Sequence, residues 1–113
     1  MANINSKAKG KTGELEFANL CKKYGFHQAR RSQQYAGINN DADVVGLPGI
    51  HAEVKRVEKL NVSKAMEQAI RDCGEGDIPI VAHRKNYEPW LITMLAKDWF
   101  GLYGAWQEGA KKE

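Results

Sequence analysis

The stretch Asp43-Val-Val-Gly-Leu-Pro-Gly-Ile-His-Ala-Glu-Val-Lys-Arg56 decides how this chain is read. Two runs that favour strand, Asp43–Leu47 and Ile50–Arg56, flank the turn pair Pro48-Gly49, which is the pattern of a hairpin. Side chains alternate along a strand, so Ile50, Ala52 and Val54 share one face and His51, Glu53 and Lys55 the other. A carboxylate and an ammonium therefore emerge side by side. Register decides whether Asp43 joins them. A strict two-residue turn pairs Asp43 with Val54 and faces it away from Glu53. One extra residue, in a three-residue turn or a bulge at Gly46 or Gly49, pairs it with Glu53 on the shared face. The extra residue is the expectation.

Upstream, a periodic segment from about Lys11 to Tyr24 reads as a helix stopped at Gly25. Phe17, Ala18, Cys21 and Tyr24 lie on one side of it, and Glu14 falls on that same apolar side, where a carboxylate is costly unless paired. A short strand near His27–Ser32 and a polar loop, Gln33–Asn40, lead to the hairpin. Downstream, Val62, Ala65, Met66, Ala69, Ile70 and Cys73 recur at helical spacing, capped by Asn61 and ended by Gly74. Two further strand runs, Ile78–His83 and Trp90–Leu95, are parted by a turn at Asn86–Pro89. A last helix spans about Ala96–Glu108. Its stripe of Trp99, Leu102, Tyr103 and Trp106 reads as a seam with its own sheet, the surplus of aromatics leaving room for a dimer interface. The order is α-β-β-β-α-β-β-α, an α/β fold with a central mixed β-sheet covered by helices on both faces.

The whole chain, 113 residues, has room for one domain, 1–113. Its composition, 42% apolar and 27% charged, is that of a globular protein and excludes disorder. No apolar run approaches the roughly 18 residues that cross a bilayer, and Met1–Lys11 lacks the apolar core of a secretory signal. Cys21 and Cys73 have no metal-ligand spacing and read as reduced core thiols, so the expected location is the cytoplasm and no membrane partner is expected. The net charge of +3 is unevenly spread: residues 1–34 carry seven positive and two negative charges, residues 35–75 five and seven. A basic front beside a carboxylate-rich middle suits a polyanion held next to a cation-binding or acid–base site, and equally a solvated basic helix.

A lone acid-x-Lys triplet is what composition alone supplies, so Glu53-Val-Lys55 has weight only through its surroundings. Asp43 opens the preceding strand and Glu14 faces inward from the first helix. Three carboxylates and an ammonium gathered in a core form either a buried ion-pair network, which is expensive, or an oxygen-ligand site for Mg²⁺ or Mn²⁺.

Asp43, then Glu53-x-Lys55, after a helix bearing Glu14, resembles the PD-(D/E)XK nuclease pattern of restriction-endonuclease-like folds. Gly10-Lys-Thr-Gly-Glu14 resembles the opening helix of archaeal Holliday-junction resolvases. The run from Asp43 to Leu60, with Lys64–Ile70 and His83–Asn86, is similar to phage and prophage proteins described as PD-(D/E)XK endonucleases or resolvases. The proline usual before the aspartate is Ala42 here, which makes Asp41 a rival for the metal. The resemblance implies a metal-dependent, structure-selective DNA endonuclease, either a homodimeric junction resolvase or a flap or nicking enzyme on the same fold. A nucleic-acid-binding module without turnover is the rival from another class. It implies that Asp43, Glu53 and the Val54 carbonyl bind Mg²⁺, for which Mn²⁺ can substitute, and that Glu14 completes the site. Lys55 orients the attacking water, with Gln68 the polar residue beside it. Lys7, Lys9, Lys11, Arg30 and Arg31 are the candidate DNA phosphate contacts, and Ser32 a further one by resemblance to the resolvases. His51 reads as a space-filling strand histidine.

Overall fold

In the computed structural model, residues 6–32 and 42–111 are described. The elements are α1 (Ser6–Lys23), β1 (Arg30–Arg31), β2 (Val44–Val45), β3 (Ile50–Arg56), α2 (Val62–Asp72), β4 (Ile78–Arg84), β5 (Leu91–Met94) and α3 (Ala96–Lys111). The order is the expected one, and the sheet is mixed. Its five strands stand as β1-β2-β3-β4-β5, parallel only between β3 and β4 and antiparallel elsewhere. The β3–α2–β4 crossover makes that parallel pair possible, since parallel neighbours need a long connection.

Two apolar cores lie on opposite faces. On one, Phe17, Ala18 and Cys21 of α1 meet Ala52 and Val54 of β3 and Ile80 and Ala82 of β4. On the other, Ala65, Met66 and Ala69 of α2 meet Val81 of β4. With a helix on either side, His51, Ala52, Glu53 and Val54 are all buried, both faces of the strand together.

Local chemistry explains the element ends. Asn61 caps α2, its side chain accepting the Lys64 N–H at 3.1 Å. At the end of α1, Phe26 N–H donates to the Cys21 carbonyl and Gly25 N–H to that of Lys22, a Schellman pair. Gly13 is needed for close approach: a Cβ there would stand 2.6 Å from Arg56 Cβ, so glycine lets α1 cross the end of β3 and brings Glu14 to the sheet. Gly46 has φ +92, and any side chain on it would collide with the Gln28 carbonyl. It sets the course of the chain into the Leu47–Ile50 turn, which closes by Ile50 N–H to the Leu47 carbonyl.

Several expectations need correction. α1 begins at Ser6, a turn and more before Lys11, and Tyr24 lies past its end, 70% exposed, instead of on the apolar stripe. The strands β1 and β2 are two residues each, shorter than the runs that announced them. Cys73 is no core thiol. It caps α2 half-buried, its Sγ 3.2 Å from the Asp77 carbonyl, while Cys21 is buried as expected; both are free. The largest correction is α3: none of its residues is buried, so its aromatic stripe is not a seam with its own sheet. No helix among the described residues is long and apolar enough to cross a membrane.

Candidate active site

Val44 pairs with Ala52, one residue off strict two-residue register, so the expected extra residue is present. Asp43 N–H also donates to the Ala52 carbonyl, at 2.9 Å. The Asp43 side chain then reaches along β3, and its Oδ2 accepts the Val54 N–H at 2.9 Å. A carboxylate thus occupies a backbone position where a sheet ladder ordinarily supplies a carbonyl, which fixes it beside Glu53 and Lys55.

Each remaining side chain has a hydrogen-bond partner among the described residues. Lys55 Nζ donates to Gln68 Oε1 at 3.1 Å, so β3 and α2 meet there as the expected Lys–Gln pairing requires. Glu53 Oε2 lies 2.8 Å from His51 Nε2, both side chains almost wholly buried. Glu14 comes from α1, and its Oε1 accepts from Arg31 Nε at 2.7 Å.

The electrostatics show that these groups share one neighbourhood. Burial pushes the Glu53 carboxyl up to about 8, reinforced by the negative charges of Asp43, Asp72 and Glu14 and opposed by Lys55. Burial likewise raises Asp43, against the Val54 N–H and the charges of Lys55, His51 and Arg31. It raises Glu14 too, against the Arg31 hydrogen bond, with Asp43 adding to the rise and Lys55 opposing it. Three carboxylates and one ammonium, from α1, the start of β2 and β3, feel each other's charge in a poorly solvated place.

Such crowding is what a hard divalent cation relieves, and Asp43 and Glu53 are the oxygen donors it favours. The donor chemistry fits Mg²⁺ or Mn²⁺. The geometry fits in part: among the described residues no group of three or more His, Cys, Asp or Glu side chains is disposed to hold a metal ion. Glu14 is turned to Arg31 and Glu53 to His51, so a cation seated on Asp43 and Glu53 needs at least one of those carboxylates to turn.

Of the candidate DNA contacts, Lys7 and Lys9 fall on the first turns of α1 and Lys11 is exposed just after them. Arg30 is exposed, with Nη1 on the Gln28 carbonyl. Arg31 is committed to Glu14, and Ser32 is buried with its N–H on the Asp43 carbonyl. The rival Asp41 and the loop Gln33–Asn40 lie outside the described residues.

Two features were missed. His51 is no mere space-filler, because it holds Glu53; the signal was present, since residues two apart on a strand share a face. A cleft of about 690 Å³ opens beside the start of α2, lined in part by Lys59, His83, Arg84 and Lys85. Glu58 and Glu88 line it too, and burial lowers His83 toward its neutral form; the lining comes from the β3–α2 connection and the end of β4, and no sequence run announces a cleft assembled that way. Comparison of the chain with protein families, with curated proteins and with solved structures finds no match in any of the three.

Proposed function

We propose that this chain is a divalent-metal-dependent DNA endonuclease on a restriction-endonuclease-like fold, selective for branched DNA in the manner of a Holliday-junction resolvase. The reading rests on one observation above all: Asp43 hydrogen-bonds to Val54, between Glu53 and Lys55, while Glu14 reaches the same neighbourhood from α1. Side chains separated by up to 41 residues share one electrostatic site, as phosphodiester hydrolysis requires.

In this reading Asp43, Glu53 and the Val54 carbonyl hold Mg²⁺ or Mn²⁺. When bound, the cation polarises a phosphoryl oxygen and lowers the pKa of its water. Lys55, steadied by Gln68, orients the attacking water and meets negative charge as it develops, a role worth about 10²–10³ in rate for a single such group. Glu14 orients water once Arg31 releases it, and a DNA phosphate is the natural competitor for that guanidinium. Lys11, Arg30, Lys59 and Lys85 supply sequence-independent backbone attraction.

A second reading has a specific observation behind it. Every carboxylate of the site is already satisfied by a protein group, as in a binding module that keeps the fold without turnover. Cleavage of a synthetic four-way junction, linear duplex and flap DNA with Mg²⁺, Mn²⁺ or chelator separates the two. Metal-dependent junction cutting that Lys55→Ala abolishes, with junction binding retained, supports the resolvase. Equal cutting of all three substrates removes the junction preference but leaves the nuclease. Preferential flap cutting points to the flap enzyme, and binding with no cleavage in either metal favours the module.

A further inference from the structure

Two large apolar surfaces lie uncovered among the described residues, and they are complementary. The first is α3. Trp99, Phe100, Leu102, Tyr103 and Trp106 are 44–64% exposed, and on a helical wheel they form one stripe about 160° wide. Lys97, Gly101, Gly104 and Glu108 take the other side. The stripe is already ordered within the helix: Trp99 stacks on Tyr103 with centroids 5.2 Å apart, and Tyr103 meets Trp106 at 5.8 Å. A helix of 16 residues with nothing buried extends the molecule, whose radius of gyration is 15.1 Å against about 13 Å for a compact domain of about 100 residues.

The second surface is a groove of about 510 Å³ on the α1 side of the sheet, lined by Phe17, Leu20, Tyr24, Phe26, Trp90 and Ile92 among others. α1 covers β1, β2 and β3, its core takes in Ile80 and Ala82 of β4, and beside it Ile92 of β5, on the same face, stays half exposed. The root of α3 is on the opposite side, for Leu95 packs against the α2 core. Within one chain, the edge strand β5 therefore stands between the aromatic helix and the groove.

We propose that α3 of one copy lays its aromatic stripe in the groove of a second copy, and reciprocally, giving a two-fold dimer of exchanged α3 helices. The occupant is a second copy because donor and acceptor surfaces are both present on this chain, and a reciprocal exchange closes without leaving either open. The area agrees. At roughly 200 Å² per aromatic side chain, the four half-exposed rings with Leu102 leave on the order of 500 Å² open. With the groove added, each partner approaches the roughly 800 Å² of a standard interface, and the stripe alone lies in the upper half of the roughly 300–600 Å² that the largest patch of a monomer exposes. The pairing needs no metal and no DNA, so it stands or falls apart from the proposed activity.

Sedimentation equilibrium of the full chain at roughly 10–100 µM tests it, above the µM-or-tighter Kd that such interfaces sustain. The wild type is expected at twice the chain mass. The double variant Trp99→Glu/Trp106→Glu loses the donor, and Ile92→Glu or Tyr24→Glu loses the acceptor. Each is expected at the single-chain mass with unchanged far-ultraviolet circular dichroism. Tyr24, outside any helix or strand, keeps the test valid should Ile92→Glu misfold. An equimolar mixture of donor-dead and acceptor-dead chains retains one intact seat and recovers dimer. A monomeric wild type overturns the proposal. So do acceptor variants that stay dimeric, which indicate helix-on-helix pairing, and so does a monomer that binds vesicles through α3.

Discussion

Glu53 makes the most demanding prediction, because its carboxyl is the one pushed furthest from its ordinary value. In the folded, metal-free protein it holds a proton up to about pH 8, whereas in the unfolded chain it ionises near 4.5. Between those values the folded state binds more protons, so stability falls as pH rises through the window. The slope is at most about 1.4 kcal/mol per pH unit, and the whole interval sets a ceiling of roughly 5 kcal/mol. That is a large fraction of the roughly 5–15 kcal/mol that holds a domain folded. His51 shares a hydrogen with Glu53 at 2.8 Å, so proton release belongs to the pair, and Asp43, Glu14, Asp72 and Lys55 set its field. Glu53→Gln keeps the shape and removes the ionisation. Urea unfolding in chelator from pH 5 to pH 8.5 measures both proteins. The variant is expected to match wild type near pH 5 and to exceed it by a few kcal/mol above pH 8. Parallel curves for the two proteins refute the burial argument.

Other consequences are local. Gly13→Ala puts a methyl group 2.6 Å from Arg56 Cβ, so α1 must shift off β3; a net loss of about 1–2 kcal/mol is expected in urea unfolding, after the helix-propensity gain of about 1 kcal/mol. Arg31→Ala leaves Glu14 without its cation and is expected to cost about 1–2 kcal/mol at pH 7, with most of the loss recovered in Arg31→Ala/Glu14→Gln. Asn61→Ala removes the α2 cap and is expected to cost about 1 kcal/mol by the same measurement.

What was legible in the chain follows from where the determining contacts lie. β3 is read from Ile50 to Arg56 without error because its alternation is local, and the Asn61 cap because it spans three residues. The register of Val44 on Ala52 was legible too, since Gly46 and Gly49 mark where an extra residue fits. The Asp43–Val54 bond was not, for it depends on a side chain replacing a backbone partner. The Arg31–Glu14 pairing was not legible either, because charge patterning does not say which acid a helix packed on the sheet brings to a strand arginine. In α3 the amphipathic pattern marks the aromatic stripe, yet periodicity is silent about what, if anything, lies over it, and in the chain itself none of its residues is buried. Cys73 and Tyr24 erred at helix ends, where one residue of fraying turns a core position outward.

The central claim is that Asp43 and Glu53 together seat a hard divalent cation. Titration of the purified protein with Mn²⁺, followed by electron paramagnetic resonance at pH 8 without DNA, tests it most directly. The account predicts a bound ion whose affinity falls at least about tenfold in Asp43→Asn and in Glu53→Gln, and is unchanged in Asn61→Ala. Absence of binding, or equal affinity in all four proteins, contradicts it.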